Sequence, residues 1–334
     1  MKLKRILMLK TTGDDVKFAQ TLLKKHGFFK DRIDGYFGQN TLVAVTNFQK
    51  TLGGKIDGII GPLTWNRLIY YSTDPKIEDL IEPRPHIEPI LSKPSIINQD
   101  GLKVFDCLLN SDEYYKEETA KNTIWLHHTA GGSRPDWTIG GWEKDFKKDE
   151  SGNPVLDEEG KPANLKVGTQ FVIGRRSSST DDTTWDGVIL RAFEEKFWSY
   201  HLGISSKNSR MLNSSSIGIE ICNYGPLKLK DGKFYNYVNK PIRETDVVEL
   251  SKEFRGYKYY EKYTDLQLEN TRKLILHLKN TYNIDIQSGI YNEDWFEYSE
   301  NWFSTGGLRS HTQVRKDKFD VFPQEELIQM LNSL

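Results

Sequence analysis

His127, His311 and Asp320 are the residues of this chain whose types most readily do chemistry together. Two imidazoles and a carboxylate make a three-ligand zinc set with a fourth position left for water. A metal held that way catalyses hydrolysis. His311 and Asp320 bound the segment His311-Thr312-Gln313-Val314-Arg315-Lys316-Asp317-Lys318-Phe319-Asp320, in which Asp317 is a competing carboxylate. His127 lies far upstream in Ile124-Trp125-Leu126-His127-His128-Thr129-Ala130. Neighbours on a strand point to opposite faces, so only one of His127 and His128 can readily serve a given metal.

The other histidines divide simply. His26 ends a helical stretch, where an imidazole caps the helix terminus. His86 lies in a proline-rich stretch and reads as solvated. His277 lies inside a long helical pattern and reads as structural. His201 stays with His127, His128 and His311 as a candidate for chemistry.

Strands and helices alternate from about residue 101 to the end. Thr123–Leu126, Val167–Ile173, Val188–Phe193 and Ser216–Cys222 read as strands. Gln267–Tyr282 reads as a helix, with Leu268, Thr271, Leu274, Ile275 and Leu278 on one face. The alternation predicts an α/β domain with a mixed central sheet flanked by helices. Residues 145–166 carry two turn signals and read as a surface hairpin. Residues 228–263 are rich in Tyr and Lys and suggest no role.

Composition bounds the rest. The chain has 334 residues, 37% hydrophobic and 28% charged, with a net charge of −1. That length suggests two domains, and the charge does not speak for a nucleic-acid partner. Two cysteines, Cys107 and Cys222, make no disulfide framework and no zinc knuckle. No run approaches the ~18 apolar residues of a membrane span. Ile6 to Leu9 is too short for the ~7–15-residue apolar core of a signal peptide. The expectation is synthesis in the cytoplasm, with no membrane insertion.

The first seventy residues hold an internal repeat. Ile33-Asp34-Gly35-Tyr36-Phe37-Gly38 returns as Ile56-Asp57-Gly58-Ile59-Ile60-Gly61. Asp-Gly makes a tight turn because Gly tolerates positive φ. Each loop follows a helical stretch: Val16, Ala19, Leu22 and Leu23 before the first, Val43, Val45, Phe48 and Leu52 before the second. The expectation is a small all-α, three-helix domain over 1–70. Pro75, Pro83, Pro85, Pro89 and Pro94 then suggest a stiff linker over 71–100, leaving 101–334 as the second domain.

The repeat segment resembles the peptidoglycan-binding module of bacterial and phage wall hydrolases. Gly13-Asp14-Asp15-Val16, Gln20, Leu23, Gly27, both Asp-Gly loops, Phe48-Gln49 and Thr64-Trp65-Asn66-Arg67-Leu68 carry that resemblance. Asp34, Gly35, Asp57 and Gly58 are expected to shape turns rather than touch ligand. The second domain resembles the zinc-dependent N-acetylmuramoyl-L-alanine amidases. Five stretches carry the likeness in family order: His127-His128-Thr129, Gly168-Thr169-Gln170-Phe171-Val172-Ile173, Trp198-Ser199-Tyr200-His201-Leu202-Gly203, Ser216-Ile217-Gly218-Ile219-Glu220, and His311 with Val314, Lys318 and Asp320.

The resemblance implies a zinc cofactor (Zn2+) on His127, His311 and Asp320. It implies Glu220 as general base and acid, and Lys318 as oxyanion partner. His201, Asn223 and Thr129 are expected at the substrate. Asp320 is preferred to Asp317 because Lys-x-Asp then keeps the family order. Three departures stand out: Thr169 where many members have Tyr, Gln313 where an Asp is usual, and Val321 where Pro follows the last ligand. The implied partner is bacterial peptidoglycan, both glycan strand and stem peptide, cut by a monomer. A phage-type endolysin, released through a membrane opening made by another protein, fits the pairing of domains. A non-catalytic recognition protein and a zinc endopeptidase are the alternatives.

Overall fold

The computed structural model describes residues 5–52, 56–61, 64, 65, 68, 90–143, 145–147, 149, 155–157, 163–178, 182–300 and 306–334. The chain divides into two compact units, Met1–Ile87 and Glu88–Leu334.

In the first unit, α1 (Asp14–Lys25) and α2 (Gln39–Leu52) precede helical residues at 64, 65 and 68. Asp14 and Asp15 open α1 and Lys24 and Lys25 close it, matching the helix dipole at both ends. Val16, Ala19, Leu22 and Leu23 pack with Phe37, Val45, Phe48 and Trp65. Val43 of the periodic stretch is 49% exposed, while Ala44 beside it is buried.

The repeat has a physical basis in two buried glutamines. Gln20 donates to Asp34 Oδ1, the Tyr36 carbonyl and Thr41 Oγ1, at 2.8 to 3.0 Å. Its Oε1 accepts from the Asp34 and Gly35 amides. Gln49 does the same for Asp57, Ile59, Thr64 and Gly58. Each Asp-Gly loop is thus satisfied from inside by an amide that can both donate and accept.

The second unit is built on a mixed seven-stranded sheet. Its strands are β1 (Ile96–Ile97), β2 (Lys103–Asp106), β3 (Thr123–His128), β4 (Phe171–Ile173), β5 (Ile189–Arg191), β6 (Ser216–Ile221) and β12 (Gly307–Ser310). The order is β1-β2-β5-β4-β6-β3-β12, with β4, β6, β3 and β12 parallel to one another. Residues 71–89 of the expected linker lie outside the described residues. Its last part does not behave as a linker, because Ile96 and Ile97 pair with Val104 and Lys103 as an edge strand.

Helices α3 (Pro135–Trp142), α4 (Ser209–Ser214), α5 (Asp265–Tyr282) and α6 (Glu325–Asn332) flank the sheet. Thr264 and Gln267 form a reciprocal capping box that starts α5, and Asn283 ends it in the left-handed region. Leu274, Ile275 and Leu278 of α5 and Leu327 and Leu331 of α6 pack with Ile124, Leu126, Ile217, Ile219 and Ile221 of the sheet. Each such aliphatic side chain contributes roughly 1.5–3 kcal/mol by leaving water. Among the described residues no helix is long and apolar enough to cross a membrane. Cys107 and Cys222 are free thiols.

In the first charged excursion, Phe146 bridges antiparallel to Asn164, and Val155 hydrogen-bonds both Lys147 and Ala163. Its two expected turns lie outside the described residues. Residues 226–261, to which the sequence assigned no role, form a second sheet. It consists of β7 (Pro226–Lys230), β8 (Lys233–Tyr235), β9 (Pro241–Ile242), β10 (Val247–Phe254) and β11 (Tyr257–Glu261), ordered β10-β11-β7-β8-β9 and antiparallel throughout.

Candidate metal centre and active site

His127 is the last residue but one of β3, and Glu220 the last but one of β6. The two are register partners across parallel strands, so their side chains leave the same face side by side. His311 follows β12 directly and opens a short 3-10 turn, His311–Gln313. All three therefore lie at the carboxyl ends of parallel strands, where open α/β sheets hold ligands. The opposite face of β3 and β6 carries Ile124, Leu126, Ile217, Ile219 and Ile221 into the main core.

The ligand atoms of His127, His311 and Asp320 lie within 4.8 Å of one another, and all three residues are buried. The two imidazole Nδ1 atoms are 3.0 Å apart. Asp320 Oδ2 is 2.8 Å from His311 Nδ1 and 3.6 Å from His127 Nδ1. Asp317 lies elsewhere, paired with Arg315 on the surface.

Hydrogen-bond direction tests whether this cluster suits a metal. His311 Nε2 lies 3.0 Å from the Leu202 carbonyl, which can only accept, so Nε2 carries the proton and neutral His311 has a bare Nδ1. A longer chain fixes His127. The Asn213 carbonyl accepts from Ser216 Oγ, so Ser216 Oγ accepts from His201 Nε2–H at 2.9 Å. His201 Nδ1 then accepts from His127 Nε2–H at 3.0 Å, which leaves His127 Nδ1 bare as well. Two nitrogen lone pairs and a carboxylate oxygen thus converge with no proton between them. Such a set fits a cation, and two N donors with one O donor match zinc.

Charge follows the same pattern. Burial, reinforced by His311, pushes the His127 imidazole down to about 4. Burial alone would raise the Asp320 carboxyl, but His311 and His127 hold it well below its usual range. Glu220 is half-buried. Removal from water, with the Asp320 charge adding and Lys318 opposing, pushes its carboxyl up to about 8. Lys318 is half-buried, and its charge acts on both Glu220 and His127.

Three expected substrate contacts have other partners. His201 has both ring nitrogens occupied, on His127 and Ser216, and braces His127. Gly218 makes room for it, since a Cβ there would lie 3.2 Å from His201 Nδ1 and 2.6 Å from Thr169 Cγ2. Asn223 is fully buried; its Nδ2 donates to the Glu261 carbonyl and its Oδ1 accepts from Gly225. Thr129 Oγ1 accepts from the Asn223 amide, tying the ends of β3 and β6 together. Sequence reasoning missed Ser216 and Asn213 as parts of the histidine brace, and only the His-Ser proximity in space reveals them. Gln313, which stands in for the usual Asp, forms a reciprocal cap with Ser310 and donates to the Trp295 carbonyl.

A mixed α/β sheet that gathers a buried His-His-Asp cluster and a flanking glutamate at its strand ends has the donor set of a metal-dependent hydrolase. The N-acetylmuramoyl-L-alanine amidase profile matches residues 117–318, more than half of the chain, and a peptidoglycan binding domain profile matches residues 12–68. The chain belongs to the N-acetylmuramoyl-L-alanine amidase family.

Individual relatives match over shorter stretches. A spore cortex-lytic enzyme of Halalkalibacterium halodurans is 47% identical over 51 residues, 15% of this chain and 16% of that protein. The N-acetylmuramoyl-L-alanine amidase CwlM of Mycobacterium tuberculosis is 39% identical over 61 residues, 18% of this chain and 15% of that protein. The chain spans about half the length, or less, of the curated relatives it matches. Among solved structures, the amidase LysC from Clostridium intestinale aligns at 16% identity over 69% of this chain and 97% of that one, with a TM-score of 0.33.

Proposed function

We propose that this chain hydrolyses the amide between the lactyl group of N-acetylmuramic acid and the L-alanine of the stem peptide in bacterial peptidoglycan. The convergence of two bare imidazole nitrogens and a carboxylate beside Glu220 carries this reading. His127, His311 and Asp320 would hold zinc, which supplies the Lewis acidity that makes water nucleophilic near neutral pH.

The chain's own residues account for the proton traffic. Glu220 takes a proton from the attacking water and returns it to the leaving amine. Burial raises the Glu220 carboxyl, and the charge of a cation held by the neighbouring cluster would draw it back down, so that it could both take and return a proton near neutral pH. Lys318 offers the positive charge that a tetrahedral oxyanion needs. The Asn213–Ser216–His201 chain holds the His127 ring in one tautomer, and the Leu202 carbonyl holds that of His311. The first unit retains the enzyme on the wall, and the pairing is that of an endolysin-type lysin acting as a monomer.

Digestion of purified sacculi followed by mass spectrometry tests the reading. Free stem peptides that begin with L-alanine, beside peptide-free glycan, are expected. Disaccharide–peptide fragments would sink the assignment in favour of glycosidase chemistry. Chelation is expected to abolish the release, and added zinc to restore it.

A further inference from the structure

The loop that carries His311, Lys318 and Asp320 is gripped from outside the seven-stranded sheet. The grip comes from the tip of the β10–β11 hairpin, in the region to which the sequence assigned no role. Phe254 pairs with Tyr257, so the hairpin turns on two residues, Arg255 and Gly256. Both have positive φ, 52° and 81°. A turn of that kind favours Asn, Asp or Gly at its first central position, because a β-carbon is strained there. Arginine at this point runs against local preference, and its side chain accounts for it.

The Arg255 guanidinium is 14% exposed and reaches across to the ligand loop. Nη1 donates to the Lys316 carbonyl at 2.7 Å, and Nη2 to the Thr312 carbonyl at 3.1 Å. Those two carbonyls bracket the turn that follows His311. The Thr312 amide in turn donates to the Asp320 carbonyl at 3.0 Å. One guanidinium therefore fixes the backbone next to His311, the backbone two residues before Lys318 and, through Thr312, the backbone of Asp320. Tyr257 against Phe319 and Tyr260 stacked on Phe322 hold the same segment on either side of Asp320.

We propose that Arg255 is a positioning residue for the metal centre, a two-point clamp through which the second sheet sets the relative placement of His311, Lys318 and Asp320. The proposal rests on the zinc reading given above. Arginine suits the task because its rigid fork presents two donors at fixed spacing, which the single ammonium of lysine cannot do.

Arg255→Gly separates the clamp from the fold, since glycine satisfies the turn while the two donors are lost. In the full-length chain, zinc affinity measured by chelator competition is expected to fall roughly 10- to 100-fold, the usual effect of removing a group that orients a ligand. Arg255→Lys is expected to recover only part of the loss. In metal-free protein, amide exchange across residues 311–320 should quicken in the glycine variant, with the Thr312 amide affected most. Zinc affinity within about twofold of the parent chain, together with unchanged exchange, overturns the clamp. If the parent chain takes up no zinc, the functional reading fails instead, and the exchange comparison alone still decides whether Arg255 orders the loop.

Discussion

Replacing Glu220 with glutamine should make this protein a poorer enzyme and a more stable fold. The side chain leaves β6 between Ile219 and Ile221, next to His127, and burial pushes its carboxyl from 4.5 up to about 8. Between those values the folded chain keeps a proton that the unfolded chain has released, so stability falls as pH rises through that window. At about 1.4 kcal/mol per pH unit, the charge costs the fold roughly 3 kcal/mol at pH 7 and about 5 kcal/mol above pH 8. Glutamine keeps the shape and cannot ionise. In zinc-free protein its gain should be nil below about pH 4.5 and grow to those values as pH rises. Denaturant unfolding at pH 5, 7 and 9 measures it, followed by tryptophan fluorescence, since seven of the eight tryptophans lie in the second unit. The same variant should lose about 10²–10⁴-fold in kcat, the usual contribution of a general base. Zinc stoichiometry should not change, because Glu220 lies outside the three-residue cluster. A variant less stable than its parent at pH 9, or one retaining full turnover, refutes the reasoning.

Other perturbations test the supports of the site and of the first unit. Arg175 is buried with Glu261 at 2.9 Å and Asp246 at 3.2 Å, but Asp246 also has Arg176 and Arg243. Arg175→Met strands mainly Glu261 and should cost about 3–5 kcal/mol in denaturant melts, much of it recovered in Arg175→Met/Glu261→Gln. Gln20→Leu leaves the first Asp-Gly loop without its internal partner and should destabilise the first unit by roughly 2–4 kcal/mol, with hydrolysis of a soluble muropeptide unchanged. His201→Phe breaks the chain that fixes the His127 tautomer and should weaken zinc binding about 10- to 100-fold by chelator competition.

The α/β class and the helix beginning near Gln267 were legible because periodicity is local in the chain, whereas the convergence of His127 with His311, 184 residues apart, was implied only by the resemblance to the amidase family. Strand alternation in β6 already separates Ile217, Ile219 and Ile221 from Gly218 and Glu220. Three things were not legible. The second sheet hides in residues 226–261 because its strands, even the eight-residue β10, bury few side chains and so show no clean apolar alternation. His201 and Asn223 look like ligand-binding groups by type, and only the fold shows that their polar atoms meet His127, Ser216, Glu261 and Gly225. Ile96 and Ile97 sit beside prolines that suggest a linker, yet an edge strand needs just one neighbour and tolerates proline nearby.

Adjacent His127 and His128 show what separates a metal ligand from a core histidine. Both are buried, and burial pushes both down to about 4. Depressed basicity therefore says only that each ring is neutral, which any buried histidine without a counter-charge would be. The difference lies in what the remaining nitrogen faces. His128 Nδ1 meets the Tyr263 hydroxyl at 3.0 Å, a group able to donate or accept, and its ring packs edge-on to Phe322. Every polar demand of that ring near Nδ1 is met by the fold. His127 spends its one proton on His201 and turns its lone pair toward another imidazole lone pair and a carboxylate. Such a contact is unfavourable in the protein alone and favourable around a cation. The direction of the bonds behind the ring, rather than its titration, is what fits His127 to the proposed ligand role and His128 to the core.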